Sequence, residues 1–197
     1  MLKKSVLSHN KVTQQQQTSP ILILEATDFS QNLFGHSEAR AIKAILNNLF
    51  LIKTSDVIEM KDGFALFQVG QNLKGYSAIY LSAHSNKKGF QVASGFVTTW
   101  KVCGEWLQNY PYIQILFLSG CEAGSYDTVK SIAQHCNTVK YVFGPTDKIT
   151  FAQAAMAAHV LFFQLLVKKN SPELAAFHAS IAADIQYSYW NCDNLRV

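Results

Sequence analysis

Short apolar runs alternate along this chain with stretches in which apolar residues recur every three or four positions. Ile21-Leu22-Ile23-Leu24 is the first run, wholly aliphatic, and it predicts a buried strand. Ser37 precedes a stripe of Ala39, Ile42, Ile45, Leu46 and Leu49, the pattern of an N-capped amphipathic helix. Residues 50–60 predict a second strand, and 62–73 a helix weakened by Gly63 and Gly70. A longer run, Ala78-Ile79-Tyr80-Leu81-Ser82-Ala83-His84-Ser85, gives the third strand, and the alternation from Gly89 to Gly95 gives a small hairpin at its end. Thr98 or Thr99 caps a helix bearing Trp100, Cys103, Trp106 and Leu107, which Pro111 stops. The run Ile113 to Leu118 then leads into Ser119-Gly120-Cys121-Glu122-Ala123-Gly124. A helix over 126–136, a strand over Tyr141-Val142-Phe143-Gly144-Pro145 and an Ala-rich helix from about Thr150 to Lys169 follow. Ser171-Pro172-Glu173 opens a last helix with a cap, a proline at its first position and an acidic first turn.

Strands that alternate with helices imply βαβ units, so the expected fold class is α/β: a three-layer sandwich with a mostly parallel central sheet and a small hairpin. Residues 1–19 are polar and Gln-rich and are expected to form a flexible arm, with 20–197 as a single domain.

Composition narrows the function. Four cysteines, Cys103, Cys121, Cys136 and Cys192, show neither a CxxC pair nor zinc spacing, so free thiols are expected, with no metal and no cofactor. A net charge of +4 with scattered lysines gives no basic stripe and argues against nucleic-acid binding. The most apolar stretch, 151–167, is interrupted by Gln153, His159 and Gln164, which makes it a buried helix and not a membrane span. No apolar core follows Lys3-Lys4, so a cytoplasmic location is expected. P-loop, G-x-S-x-G and Cys-x5-Arg signatures are missing.

Two of the runs end on reactive side chains, His84 and Cys121. In open α/β sheets ligands bind beyond the carboxyl ends of the strands, so these ends would hold an imidazole and a thiol over one crevice. A thiol attacks as thiolate, and a neighbouring imidazole can take its proton and later deliver it to the leaving group. The expected catalytic pair is therefore Cys121 as nucleophile and His84 as base and acid. The glycine-flanked turn at Cys121 presents the sulfur, and the backbone N–H groups of Cys121 and Ser85 are the candidate oxyanion donors.

These residues resemble the caspase-fold (caspase-haemoglobinase-like) cysteine peptidases, with the bacterial CHAT-type and caspase-like peptidases as the nearest branch. The resemblance rests on an apolar strand into His84-Ser85, the glycine-flanked hairpin, and the strand into Leu118-Ser119-Gly120-Cys121-Glu122-Ala123-Gly124. It implies a cysteine endopeptidase acting through an acyl-enzyme on a protein substrate, or answering to an activating partner, in bacterial defence or stress signalling. The family's usual glycine after the histidine is Ser85 here. Caspase-like cleavage after aspartate needs arginines that clamp a carboxylate, and this chain has only Arg40 and Arg196. Relatives that cut after Arg or Lys carry acids near the end of the first strand and just before the cysteine. Asp28 or Glu25 fits the first role, whereas Ser119 occupies the second place, so a basic or small neutral P1 residue is expected. A catalytically silent caspase-fold scaffold or toxin subunit is the alternative, and a flavodoxin-like small-molecule-binding domain a third reading. Oligomeric state has no signature in the sequence.

Overall fold

The computed structural model describes residues 20–26, 37–62, 65–70, 73 and 75–196; Asp28 and the 1–19 arm fall outside these. In chain order the strands are β1 (Ile21–Ala26), β2 (Thr54–Glu59), β3 (Ala78–Asn86), β4 (Gly89–Gln91), β5 (Val97–Thr99), β6 (Ile115–Ser119), β7 (Tyr141–Pro145) and β8 (Tyr187–Asn191). The helices are α1 (Glu38–Ala44), α2 (Ala65–Gly70), α3 (Trp100–Leu107), α4 (Tyr126–His135), α5 (Phe151–Phe162) and α6 (Pro172–Ala183). Across the sheet the order is β2-β1-β3-β6-β7-β8, and β4 and β5 extend from the end of β3. The first five strands in that order are parallel, while β8 runs antiparallel to β7.

Side chains alternate between the two faces of a strand, and here the alternation divides the core. Leu22, Leu24, Ile79, Leu81, Leu116 and Leu118 pack on the side of α3 and α4, against Trp106, Leu107 and Ile132. Ile21, Ile23, Ala78, Tyr80, Phe117 and Phe143 face the other way, onto Ile42 of α1, Ala157 and Leu161 of α5, and Ala179 of α6. This is the expected three-layer α/β sandwich with a mostly parallel sheet.

Capping chemistry sets the helix starts. Ser37 accepts from the Arg40 N–H, Thr99 from Val102 and Ser171 from Leu174, and Thr150 forms a reciprocal capping box with Gln153. Three features depart from the sequence pattern. Helix α1 ends in a π turn closed by a Phe50 N–H to Ile45 carbonyl bond. That wider turn shifts the helical phase, so Leu49 leaves the buried stripe and is 63% exposed. The hairpin is a three-stranded extension, because β4 pairs with the last residues of β3 on one side and with β5 on the other. The antiparallel β8 was not expected. Its Tyr189 ring packs on Tyr141 and Phe143, with centroids 5.8 and 5.1 Å apart.

Candidate active site

Parallel pairing places Ser82 of β3 directly beside Ser119 of β6. His84 and Cys121 each lie two residues further along the chain, so the two strand ends deliver them to the same edge of the sheet. Both line one small cleft of about 90 Å³, together with Ser82, Ser119, Glu38 and Ile149. The His84 side chain is exposed there and Cys121 is half-buried. A larger apolar groove of about 580 Å³ runs between β5 and α3 and touches neither residue.

The turn that carries Cys121 is set by close approaches. A Cβ on Gly120 would lie 2.3 Å from Ser85 Oγ and 2.4 Å from the Ala83 carbonyl oxygen. Ser85 Oγ donates to the Cys121 carbonyl at 2.8 Å, which ties the two strand ends together. Glu122 takes the left-handed conformation at φ 58°, and its N–H donates to the Asp147 carbonyl at 2.9 Å. The Glu122 carbonyl in turn accepts from Thr128 Oγ1 at 3.1 Å. Its backbone thus serves the turn. Cys121 Sγ is bracketed by the Ile149 backbone: it donates to the carbonyl at 3.6 Å and accepts from the N–H at 3.4 Å.

Glu25 is buried and does not line the cleft; its carboxylate oxygens both lie 2.6 Å from Ser37 Oγ, which donates to them. Asp28 is outside the described residues. Ser119 does line the cleft, but as a hydrogen-bond donor to Glu38. Glu38 is the acid that sequence reasoning missed. It lies in the first turn of α1, is 4% exposed, and accepts from Tyr80 and Ser119 on Oε1 and from Ser82 on Oε2. Burial pushes its pKa up, opposed by the hydrogen bonds from Ser119, Tyr80 and Ser82, and aided by the nearby charge of Glu25. A signal for it existed: Tyr80, Ser82 and Ser119 are polar interruptions of apolar strands, all on the face that α1 covers.

Both arginines are engaged away from the cleft. Arg40 pairs with Glu59 at 3.2 Å, and Arg196 lies against Asp193 and the Val139 carbonyl. Among the described residues no cluster of His, Cys, Asp or Glu is arranged to hold a metal ion, and no helix is long and apolar enough to cross a membrane.

No protein-family model and no curated protein matches the chain. Solved structures do. An inactive zymogen C11 protease from Parabacteroides distasonis superposes with a TM-score of 0.59 at 14% identity, over 89% of this chain and 62% of its own. A secreted C11 cysteine protease from Bacteroides thetaiotaomicron, solved with an irreversible peptide inhibitor, gives 0.60 at 12% identity, over 90% and 67%. The Arg-specific cysteine proteinase gingipain R gives 0.57 at 14% identity, over 91% and 47%. The fold is caspase-like. The sheet that brings His84 and Cys121 to one edge is thus shared with cysteine proteases, although the chain spans only 62% of the first of these proteins and 47% of gingipain R.

Proposed function

We propose that this caspase-like chain is a cysteine endopeptidase with Cys121 as nucleophile and His84 as general base and acid. The observation that carries the reading is the shared cleft of an imidazole and a thiol at the carboxyl ends of adjacent parallel strands. His84 takes the Cys121 proton, and the sulfur bonds to the scissile carbonyl carbon as the π pair moves onto oxygen. The Ser85 and Cys121 N–H groups stabilise that oxyanion; the Glu122 N–H is already committed to Asp147. Collapse breaks the C–N bond, and the amine leaves with the proton from His84. Water, deprotonated by His84, then cleaves the thioester, giving the new carboxylic acid and the free thiol. The substrate or activator is another protein, and the resemblance to CHAT-type peptidases adds bacterial defence or stress signalling as its setting.

The surroundings of the thiols support the choice of Cys121. Burial pushes the Cys103 thiol up to about 12 and the Cys192 thiol up to about 11, which keeps both protonated and slow to react. Iodoacetamide near neutral pH should therefore alkylate Cys121 well ahead of the other three, as read by peptide mapping. Cys121→Ala should abolish both peptide cleavage and labelling by peptidyl acyloxymethyl ketones. Undiminished cleavage by that variant would remove the assignment.

A further inference from the structure

Resting on the peptidase reading, we propose that Glu38, Ser82 and Ser119 form the floor of the P1 pocket and restrict it to short uncharged side chains: glycine, alanine or serine. When the carbonyl carbon is bonded to Cys121 Sγ, the P1 side chain springs from the next carbon along. It must therefore enter the cleft beside the sulfur. The floor of that cleft is made by the residues two positions back along each strand, Ser82 and Ser119, and by Glu38 beneath them.

Size decides first. The cleft measures about 90 Å³, smaller than the ~150 Å³ apolar cavity that takes up a benzene ring. Its small members, Ala83, Gly120 and Ala154, lie close around it, and Ile149 and Phe151 complete the lining.

Charge decides next. A guanidinium is held best by a carboxylate that offers it both oxygens. Among the described residues lining the cleft Glu38 is the one carboxylate, and it already spends Oε1 on Tyr80 and Ser119 and Oε2 on Ser82. Burial also opposes its ionisation, which weakens the attraction for any cation. An anionic P1 side chain fares no better, because both arginines are engaged elsewhere. The Ser82 and Ser119 hydroxyls give their protons to Glu38 and retain acceptor capacity, which suits a serine hydroxyl. The pocket so described differs from the arginine specificity of gingipain R.

The test is a positional-scanning peptide library with P1 fixed in turn as Gly, Ala, Ser, Leu, Asp, Lys and Arg, and mixtures at P2–P4. Short residues should exceed Lys and Arg by about tenfold or more in kcat/KM, the scale of discrimination that steric fit supplies. Glu38→Ala should enlarge the floor and raise cleavage after Leu relative to Ala by about tenfold. Because that change strands three hydroxyl donors, Ser119→Gly serves as a second, milder enlargement with the same expected direction. A preference for Lys or Arg, or an unchanged P1 profile in both variants, overturns the inference while leaving a peptidase. If no P1 residue is cleaved and acyloxymethyl ketone probes of every P1 type fail to label Cys121, the peptidase reading falls and takes the inference with it.

Discussion

A buried carboxyl group is stable when it is hydrogen-bonded, yet it still resists ionisation. Glu38 satisfies the first condition through Tyr80, Ser82 and Ser119, and its pKa is raised above its ordinary value of 4.5 chiefly by burial. The folded state therefore binds the Glu38 proton more tightly than the unfolded chain does. By linkage, its contribution to stability is fully present below pH 4.5 and is lost as pH rises through the raised folded pKa. Glutamine has a similar shape and no such titration. The stability of Glu38→Gln relative to the native protein should thus climb as pH rises from about 4.5 toward neutrality. Urea unfolding of both proteins at several pH values measures this, and a constant difference would show that folding leaves the Glu38 pKa unchanged. His84 and Cys121 were legible in the sequence because each ends an apolar run. Glu38 was not marked by its own position, since an acid in a first helical turn is ordinary dipole chemistry; its signal lay in Tyr80, Ser82 and Ser119, whose shared face the strand register reveals.

At the level of elements, the strand ends are joined more tightly than a pattern of apolar runs discloses. In the sequence Ser85 stands out only as a replacement for the glycine usual after the histidine; in the structure its hydroxyl bonds the Cys121 carbonyl across the gap between β3 and β6. Gly120 allows that approach, because a Cβ there would fall within 2.3 Å of Ser85 Oγ and 2.4 Å of the Ala83 carbonyl. Ser85 can rotate aside, whereas the Ala83 oxygen belongs to the backbone of a central strand. Gly120→Ala is therefore expected to destabilise by about 1–3 kcal/mol, the usual penalty of overpacking, and to remain destabilising when Ser85 is also changed to Gly. Thermal unfolding of the single and double variants checks this; full rescue by Ser85→Gly would place the whole clash on the hydroxyl. The helix starts were readable because Ser37, Thr99, Thr150 and Ser171 each satisfy a free backbone donor locally. The π turn after α1 was not, because it is closed by backbone bonds from Phe50 to Ile45 and from Ile52 to Leu46 that no side-chain pattern marks.

Across the whole molecule, the last strand braces the turn that carries Cys121. Strand β8 was hidden in the sequence because Tyr187-Ser188-Tyr189-Trp190 joins an edge antiparallel to β7, where half-buried aromatics replace the aliphatic runs of the central strands. Trp190 Nε1 donates to the Gly124 carbonyl at 2.7 Å, and Ser188 Oγ reaches the same oxygen at 2.7 Å. Gly124 closes the Cys121 turn, and its own N–H donates to the Pro145 carbonyl of β7 at 2.7 Å. The edge of the sheet is thus coupled to the turn that presents the sulfur. Trp190→Phe removes one donor while keeping most of the ring, so a loss of about 1 kcal/mol and a fall in Tm of about 2–4 °C are expected. Well below the unfolding transition, the same variant should also change the rate at which iodoacetamide alkylates Cys121, while Cys103 and Cys192 stay slow. A lower Tm with an unaltered Cys121 rate would mean that β8 supports the fold but not the placement of the thiol.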